Sequence, residues 1–195
     1  MESALFREGY RVVNRGYPSR TTRIAVLAES TVGRALADPA LAGCVRVHFV
    51  THSLGGILVR SYFARHEPGR LGRVVMLGPP NRGSEVVDRL GGWRLFQWLN
   101  GPAGGELGTG PDSVPNTLGP VPFETGVIAG DRSVNWINSR MIPGPNDGKV
   151  SVEHCRVAGM RDFLVVHATH PFMARNRGVI SATIRFLRTG RFSPD

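Results

Sequence analysis

Val47-His48-Phe49-Val50-Thr51-His52-Ser53-Leu54-Gly55-Gly56-Ile57-Leu58-Val59-Arg60 changes its period in the middle. Up to Thr51 it is an apolar run of strand length, and beyond Ser53 the apolar residues recur at helical spacing towards His66. A serine therefore stands where a strand turns at once into a helix. On so sharp a turn the hydroxyl is pushed out of the sheet, and small residues just beyond, Gly55 and Gly56, let the backbone cross close to adjacent strands. The new helix also points its free N–H groups at the place where an oxyanion would form. The pattern is Thr51-x-Ser53-x-Gly55, so threonine replaces the first glycine of G-x-S-x-G.

Outward from this turn, short apolar runs alternate with longer amphipathic ones. Tyr10–Asn14 reads as a strand stopped by Gly16 and Pro18, and a helix capped by Ser19 or Thr21 follows to about Ala37. After the central strand and helix, Glu67-Pro68-Gly69 is a stop. Arg73–Leu77, Thr125–Ala129 and Asp162–Val166 are further strands, and a last helix spans about Phe172 to Leu187. Val-rich strands separated by helices predict an α/β fold, a three-layer sandwich whose mostly parallel sheet is covered on both faces. One stretch breaks the rhythm. Residues 91–123 are dense in Gly and Pro yet hold Trp93, Leu95, Phe96, Trp98 and Leu99, which predicts a cap-like insertion in a single domain over 1–195.

Composition excludes several classes. With 195 residues, 41% hydrophobic and 20% charged, the chain can bury a core and is no disordered polyelectrolyte. No apolar run reaches the roughly 20 residues of a spanning helix, so no stable membrane insertion is expected. No leader is visible after Met1, and the expected compartment is cytoplasmic. Net charge is +9, but Lys149 is the sole lysine and the arginines are scattered without a basic block, so nucleic acid is not an expected partner. Cys44 and Cys155 stand far apart, without metal-ligand spacing, and neither a metal nor an organic cofactor is implied.

Three stretches together carry a resemblance: Thr51-His52-Ser53-Leu54-Gly55-Gly56, the loop Gly78-Pro79-Pro80-Asn81-Arg82-Gly83-Ser84, and Asn146-Asp147-Gly148-Lys149-Val150 followed by a late histidine. From about Tyr10 to Leu187 the chain resembles the α/β-hydrolase superfamily, within it the lipase- and esterase-like proteins. The resemblance implies Ser53 as nucleophile, activated by a histidine that a carboxylate orients, in the chain order Ser, Asp or Glu, His. His48 lies in a strand, His52 in the turn, His66 at a helix end and His154 before the last strand, which leaves His167 and His170. His170, in the loop beyond the last strand, is favoured as base. Among the acids, Asp162 begins the last strand, at the wrong end, and Asp147 is favoured over Asp131 because Gly148 allows a tight bend that presents its carboxylate.

Carboxylic ester hydrolysis through an acyl-enzyme on Ser53 is the implied activity, on an ester or lipid substrate. Trp93, Phe96, Trp98 and Leu99 would line the acyl chain. The backbone N–H of Leu54 is one oxyanion donor, whereas the strand with a His-Gly pair that usually supplies the second does not precede Tyr10. The fold is thus expected in an N-terminally shortened form, with a bare sheet edge that invites a second copy. An impaired hydrolase-fold binding protein, and a thioesterase, amidase or acyltransferase, stay open as alternatives.

Overall fold

Valine-rich runs at 47–52, 71–77, 125–130 and 162–166 become the strands of one parallel sheet in the computed structural model, which describes residues 1–90, 101–134 and 136–193. The strands are β1 (Val47–His52), β2 (Leu71–Leu77), β3 (Thr125–Gly130) and β4 (Asp162–Val166), ordered β1-β2-β3-β4. The helices that matter below are α1 (Glu2–Arg7), α2 (Ile24–Ala28), α3 (Leu54–Phe63), α4 (Glu85–Leu90), α5 (Trp136–Met141) and α6 (Arg177–Thr189). The helix expected up to Ala37 is present, but beyond α2 it widens into a π-helical turn, Glu29–Gly33.

Alternation along the strands feeds two cores. Val74 and Met76 of β2 and Val127 and Ala129 of β3 pack with Ile24 and Leu27 of α2 and Ile57 and Leu58 of α3. Val75, Leu77 and Ile128 point the other way, onto Leu5 of α1 and Val179, Ala182 and Phe186 of α6. Each of these side chains larger than alanine contributes about 1.5–3 kcal/mol by leaving water, which is why a parallel sheet with both faces covered needs apolar residues at successive positions. The three-layer sandwich predicted from the sequence is the architecture found.

Gly126 marks how closely α6 approaches, because a Cβ there would stand 2.6 Å from the rings of both Phe186 and Phe192. The last helix starts later than expected. Residues His170–Arg175 form a 3-10 turn, and α6 begins after Asn176, whose side chain accepts the Val179 N–H at 3.1 Å.

Tyr10–Asn14 differs from its prediction, for it joins no ladder among the described residues. Strand propensity forms a strand only when an edge is paired, and among the described residues positions 11–14 make no backbone hydrogen bond to one. Of the insertion, residues 101–123 are described, and Ala103, Leu107 and Val121 lie buried in the α2–α3 core. Glu106 takes the otherwise orphaned Ile24 N–H at the start of α2, at 2.8 Å. Trp93, Leu95, Phe96, Trp98 and Leu99 lie outside the described residues.

Candidate active site

Ser53 joins β1 to α3 with φ 55° and ψ −125°, and among the described residues no other non-glycine residue has positive φ. Such backbone costs about 1–3 kcal/mol and persists only where its surroundings fix it. Here the Ser53 N–H donates to Leu77 O of β2 at 2.9 Å, and α3 starts at the next residue. Leu54 is the first residue of α3, so its N–H has no partner within the helix. Small side chains permit the crossing: a Cβ on Gly56 would stand 3.1 Å from Pro79 Cβ and 3.2 Å from Met76 Sδ.

Asp147 follows β3 in a turn that uses both its carboxylate oxygens. Oδ1 accepts the N–H groups of Lys149 at 3.0 Å and Val150 at 2.9 Å. Oδ2 accepts Nδ1–H of His170 at 2.6 Å, and the His170 backbone N–H donates to Asp147 O at 3.0 Å. The Asx turn and the orientation of the histidine are therefore one structure. Both side chains are buried, His170 at 5% exposure and Asp147 at 0%. With its proton on Nδ1, the imidazole carries a lone pair on Nε2, which is buried and makes no hydrogen bond among the described residues.

His52 and Gly78, the residues beside Ser53 in β1 and just past β2, complete the surroundings. The His52 ring lies 4.7 Å from that of His170, and its Nε2–H donates to His170 O at 2.9 Å. Burial first, and the neighbouring His170 second, hold the His52 pKa below its ordinary value, so it is a neutral donor. Gly78 has φ +53°, and a Cβ there would stand 2.9 Å from Asp147 Oδ2 and 3.2 Å from His170 Nδ1. Ser53, Asp147 and His170 are thus gathered at the C-terminal end of the sheet. The alternative residues meet each other instead: Asp131 and His167 pair at 2.9 Å, 35% and 71% exposed.

No family model and no curated protein sequence matches the chain. Solved structures do. The Bacillus licheniformis lipase BlEst2 superposes in its mature form with a TM-score of 0.63 at 17% identity, over 90% of this chain and 76% of that one. Its propeptide form gives 0.63 at 19% identity, over 79% of this chain and 38% of that one. Phospholipase PlaB from Legionella pneumophila gives 0.58 at 19% identity, over 80% and 40%. The chain has the α/β-hydrolase fold. It spans well under half the length of the BlEst2 propeptide form and of PlaB.

Within this α/β-hydrolase fold, the loop bearing Asp147 is tied to the start of α4. Ser84 Oγ donates to Lys149 O at 2.7 Å, and Arg82 N–H donates to His154 O at 3.0 Å. His154 Nδ1 and Glu85 Oε1 form an ion pair at 3.1 Å. Contact with Glu85 raises the His154 pKa; burial works against the Glu85 charge, but contact with His154, a backbone N–H and Ser151 together outweigh it, and that pKa is lowered. Arg60 of α3 performs the equivalent tie for the insertion. Its buried guanidinium donates to Asn81 O and Oδ1 at 2.9 and 3.1 Å, to Pro115 O at 3.0 Å and to Gly119 O at 2.8 Å. Burial pulls its pKa down to about 10, which leaves it a cation at neutral pH.

Sequence reasoning missed Gly78, His52 as a donor, and the Glu85–His154 tie. Only Gly78 carried a signal, a glycine placed directly between a strand and Pro79-Pro80. Among the described residues no group of three or more His, Cys, Asp and Glu is arranged to hold a metal ion, and no helix is long and apolar enough to cross a membrane.

Proposed function

We propose that the protein is a serine hydrolase that cleaves carboxylic esters through an acyl-enzyme on Ser53. The observation that carries this reading is the buried 2.6 Å pair of Asp147 and His170 beside a strained serine at a strand-to-helix turn. Asp147 holds the His170 proton on Nδ1, leaving Nε2 to remove the Ser53 hydroxyl proton. Ser53 Oγ attacks the ester carbonyl, and the tetrahedral oxyanion draws on the Leu54 N–H at the start of α3. His170, now protonated, gives its proton to the departing alkoxide. Water repeats the sequence on the acyl-enzyme, releasing the acid and restoring Ser53. Catalysis by such a unit is strongly non-additive, so Ser53→Ala is expected to lower turnover on the order of 10⁶-fold with the fold intact.

The substrate class is an ester of short to medium acyl chain, which suits the aromatic stretch Trp93–Leu99. Labelling with a fluorophosphonate probe tests the nucleophile: wild type becomes covalently labelled and Ser53→Ala does not. Equal labelling of the two would remove Ser53 from the reaction.

A further inference from the structure

Ser84 stands directly before α4, a place where serine is ordinarily a cap, yet its hydroxyl donates out of that helix. The acceptor is Lys149 O at 2.7 Å, and no other hydrogen bond reaches that carbonyl among the described residues. The peptide that carries Lys149 O ends in the Val150 N–H, which donates to Asp147 Oδ1 at 2.9 Å. One peptide unit therefore accepts at its oxygen and donates at its nitrogen. Asp147 continues the series, with Oδ2 accepting Nδ1–H of His170 at 2.6 Å. The order is Ser84 hydroxyl, Lys149–Val150 peptide, Asp147 carboxylate, His170 imidazole.

Hydrogen bonds in series polarise one another, so donation to Lys149 O makes the Val150 N–H a better donor to the carboxylate. It also fixes which way the peptide faces. With its oxygen held by Ser84, the unit cannot turn its N–H away from Asp147 Oδ1 without breaking a second bond. Asp147 is buried, so water does not replace an N–H that is lost. Ser84 is itself held firmly. It is buried, and its N–H donates to Leu107 O at 2.9 Å. Beside it Gly83 has φ +89° and lies so close to the insertion that a Cβ there would run into Gly108 O. The insertion thus anchors the first member of the series.

We propose that Ser84 is a positioning residue for the Asp147–His170 pair, acting through the Lys149–Val150 peptide. Its kinetic consequence rests on the ester-hydrolase reading, whereas its effect on the pair does not. The other tie to this loop works at a greater remove. The His154 N–H donates to Ser151 Oγ at 3.1 Å and its ring pairs with Glu85, so that tie grips the loop beyond Val150. Among the described residues neither Glu85 nor His154 bonds the peptide that holds Asp147 Oδ1. Ser84 does.

Two readouts on the whole protein test this. In the first, Ser84→Ala is expected to lower kcat on p-nitrophenyl butyrate about tenfold with KM within about twofold, because a displaced carboxylate harms the chemical step and not binding. Ser84→Thr keeps the hydroxyl and is expected to return kcat to within about threefold of wild type. The second readout needs no turnover. In a Ser53→Ala background, proton NMR follows the far-downfield resonance of His170 Nδ1–H, whose pair is buried and slow to exchange. That resonance is expected to move upfield and broaden in Ser84→Ala and to keep its place in Ser84→Thr. The proposal is overturned if Ser84→Ala turns over like wild type or leaves the resonance unmoved. Equal losses of kcat in the alanine and threonine variants, in step with their melting temperatures and with the resonance unmoved, would make Ser84 a packing residue only. If Ser53→Ala itself retains turnover while the resonance still responds to Ser84, the ester-hydrolase reading fails and the positioning role stands.

Discussion

Asp147–His170 and Asp131–His167 put the same two side chains at the same end of one sheet, with Nδ1–Oδ distances of 2.6 and 2.9 Å. Their surroundings differ. The first pair is 0% and 5% exposed and Asp147 accepts two further N–H groups, whereas the second is 35% and 71% exposed. Water around the exposed pair screens its attraction and offers each member other partners, so neither its geometry nor its tautomer is fixed. In the buried pair those alternatives are gone. The protein compensates the desolvation of Asp147 with hydrogen bonds, and the result is an imidazole held in one orientation with one bare nitrogen.

The widest separation between the two pairs is expected in turnover. Asp147→Asn keeps the shape of the turn but loses the charge that fixes the His170 tautomer, and kcat on p-nitrophenyl butyrate is expected to fall about 10⁴-fold. Asp131→Asn is expected to stay within about twofold of wild type, since an exposed pair contributes little. Equal losses in the two variants would give the exposed pair a catalytic part and break the contrast.

Gly78 tests how much room the buried pair has. An alanine there is strained by φ +53° and places its Cβ 2.9 Å from Asp147 Oδ2. The left-handed backbone alone costs about 1–2 kcal/mol, and displacement of the carboxylate adds a loss of turnover. Gly78→Ala is therefore expected to lower the melting temperature by several degrees and kcat about a hundredfold, while KM changes little. An unchanged kcat in a destabilised variant would show that the pair tolerates movement.

Much of this site was legible because its information is local. The change of period at Ser53 needs only neighbouring residues, as does the bend that Gly148 gives Asp147. Both cores followed from Val-rich strands and amphipathic helices. What was not legible depends on distance along the chain. That Asp147 is buried and Asp131 is not follows from how the loop after β3 folds under His170, and the Glu85–His154 tie joins residues on separate loops. Tyr10–Asn14 has the composition of a strand, yet whether a strand forms depends on an edge to pair with, which composition does not supply.

A smaller effect separates the buried pair from the tie that steadies its loop. Glu85 has a lowered pKa, so its contribution to stability is present above its ordinary value of 4.5 and lost as pH falls through the lowered one. His154 has a raised pKa, so its contribution is present below its ordinary value of 6.5 and lost as pH rises through the raised one. Both contributions are complete between about pH 4.5 and 6.5. Thermal melts of wild type and Glu85→Gln should differ most in that window and converge on both its acid and its alkaline side. A difference that does not vary with pH would mean that Glu85 acts through packing alone.

The smallest expected effect is the exposed pair's own coupling energy. Urea unfolding of wild type, Asp131→Asn, His167→Ala and the double variant forms a cycle that isolates it. The coupling is expected at no more than about 1 kcal/mol at low salt, because an ion pair this exposed gives back most of its attraction to water. It should shrink towards zero near 1 M salt, where the screening length falls to about 3 Å. A coupling above about 2 kcal/mol that survives salt would place this pair in a drier setting than its exposure describes, and the contrast with Asp147–His170 would then have to rest on position rather than on burial.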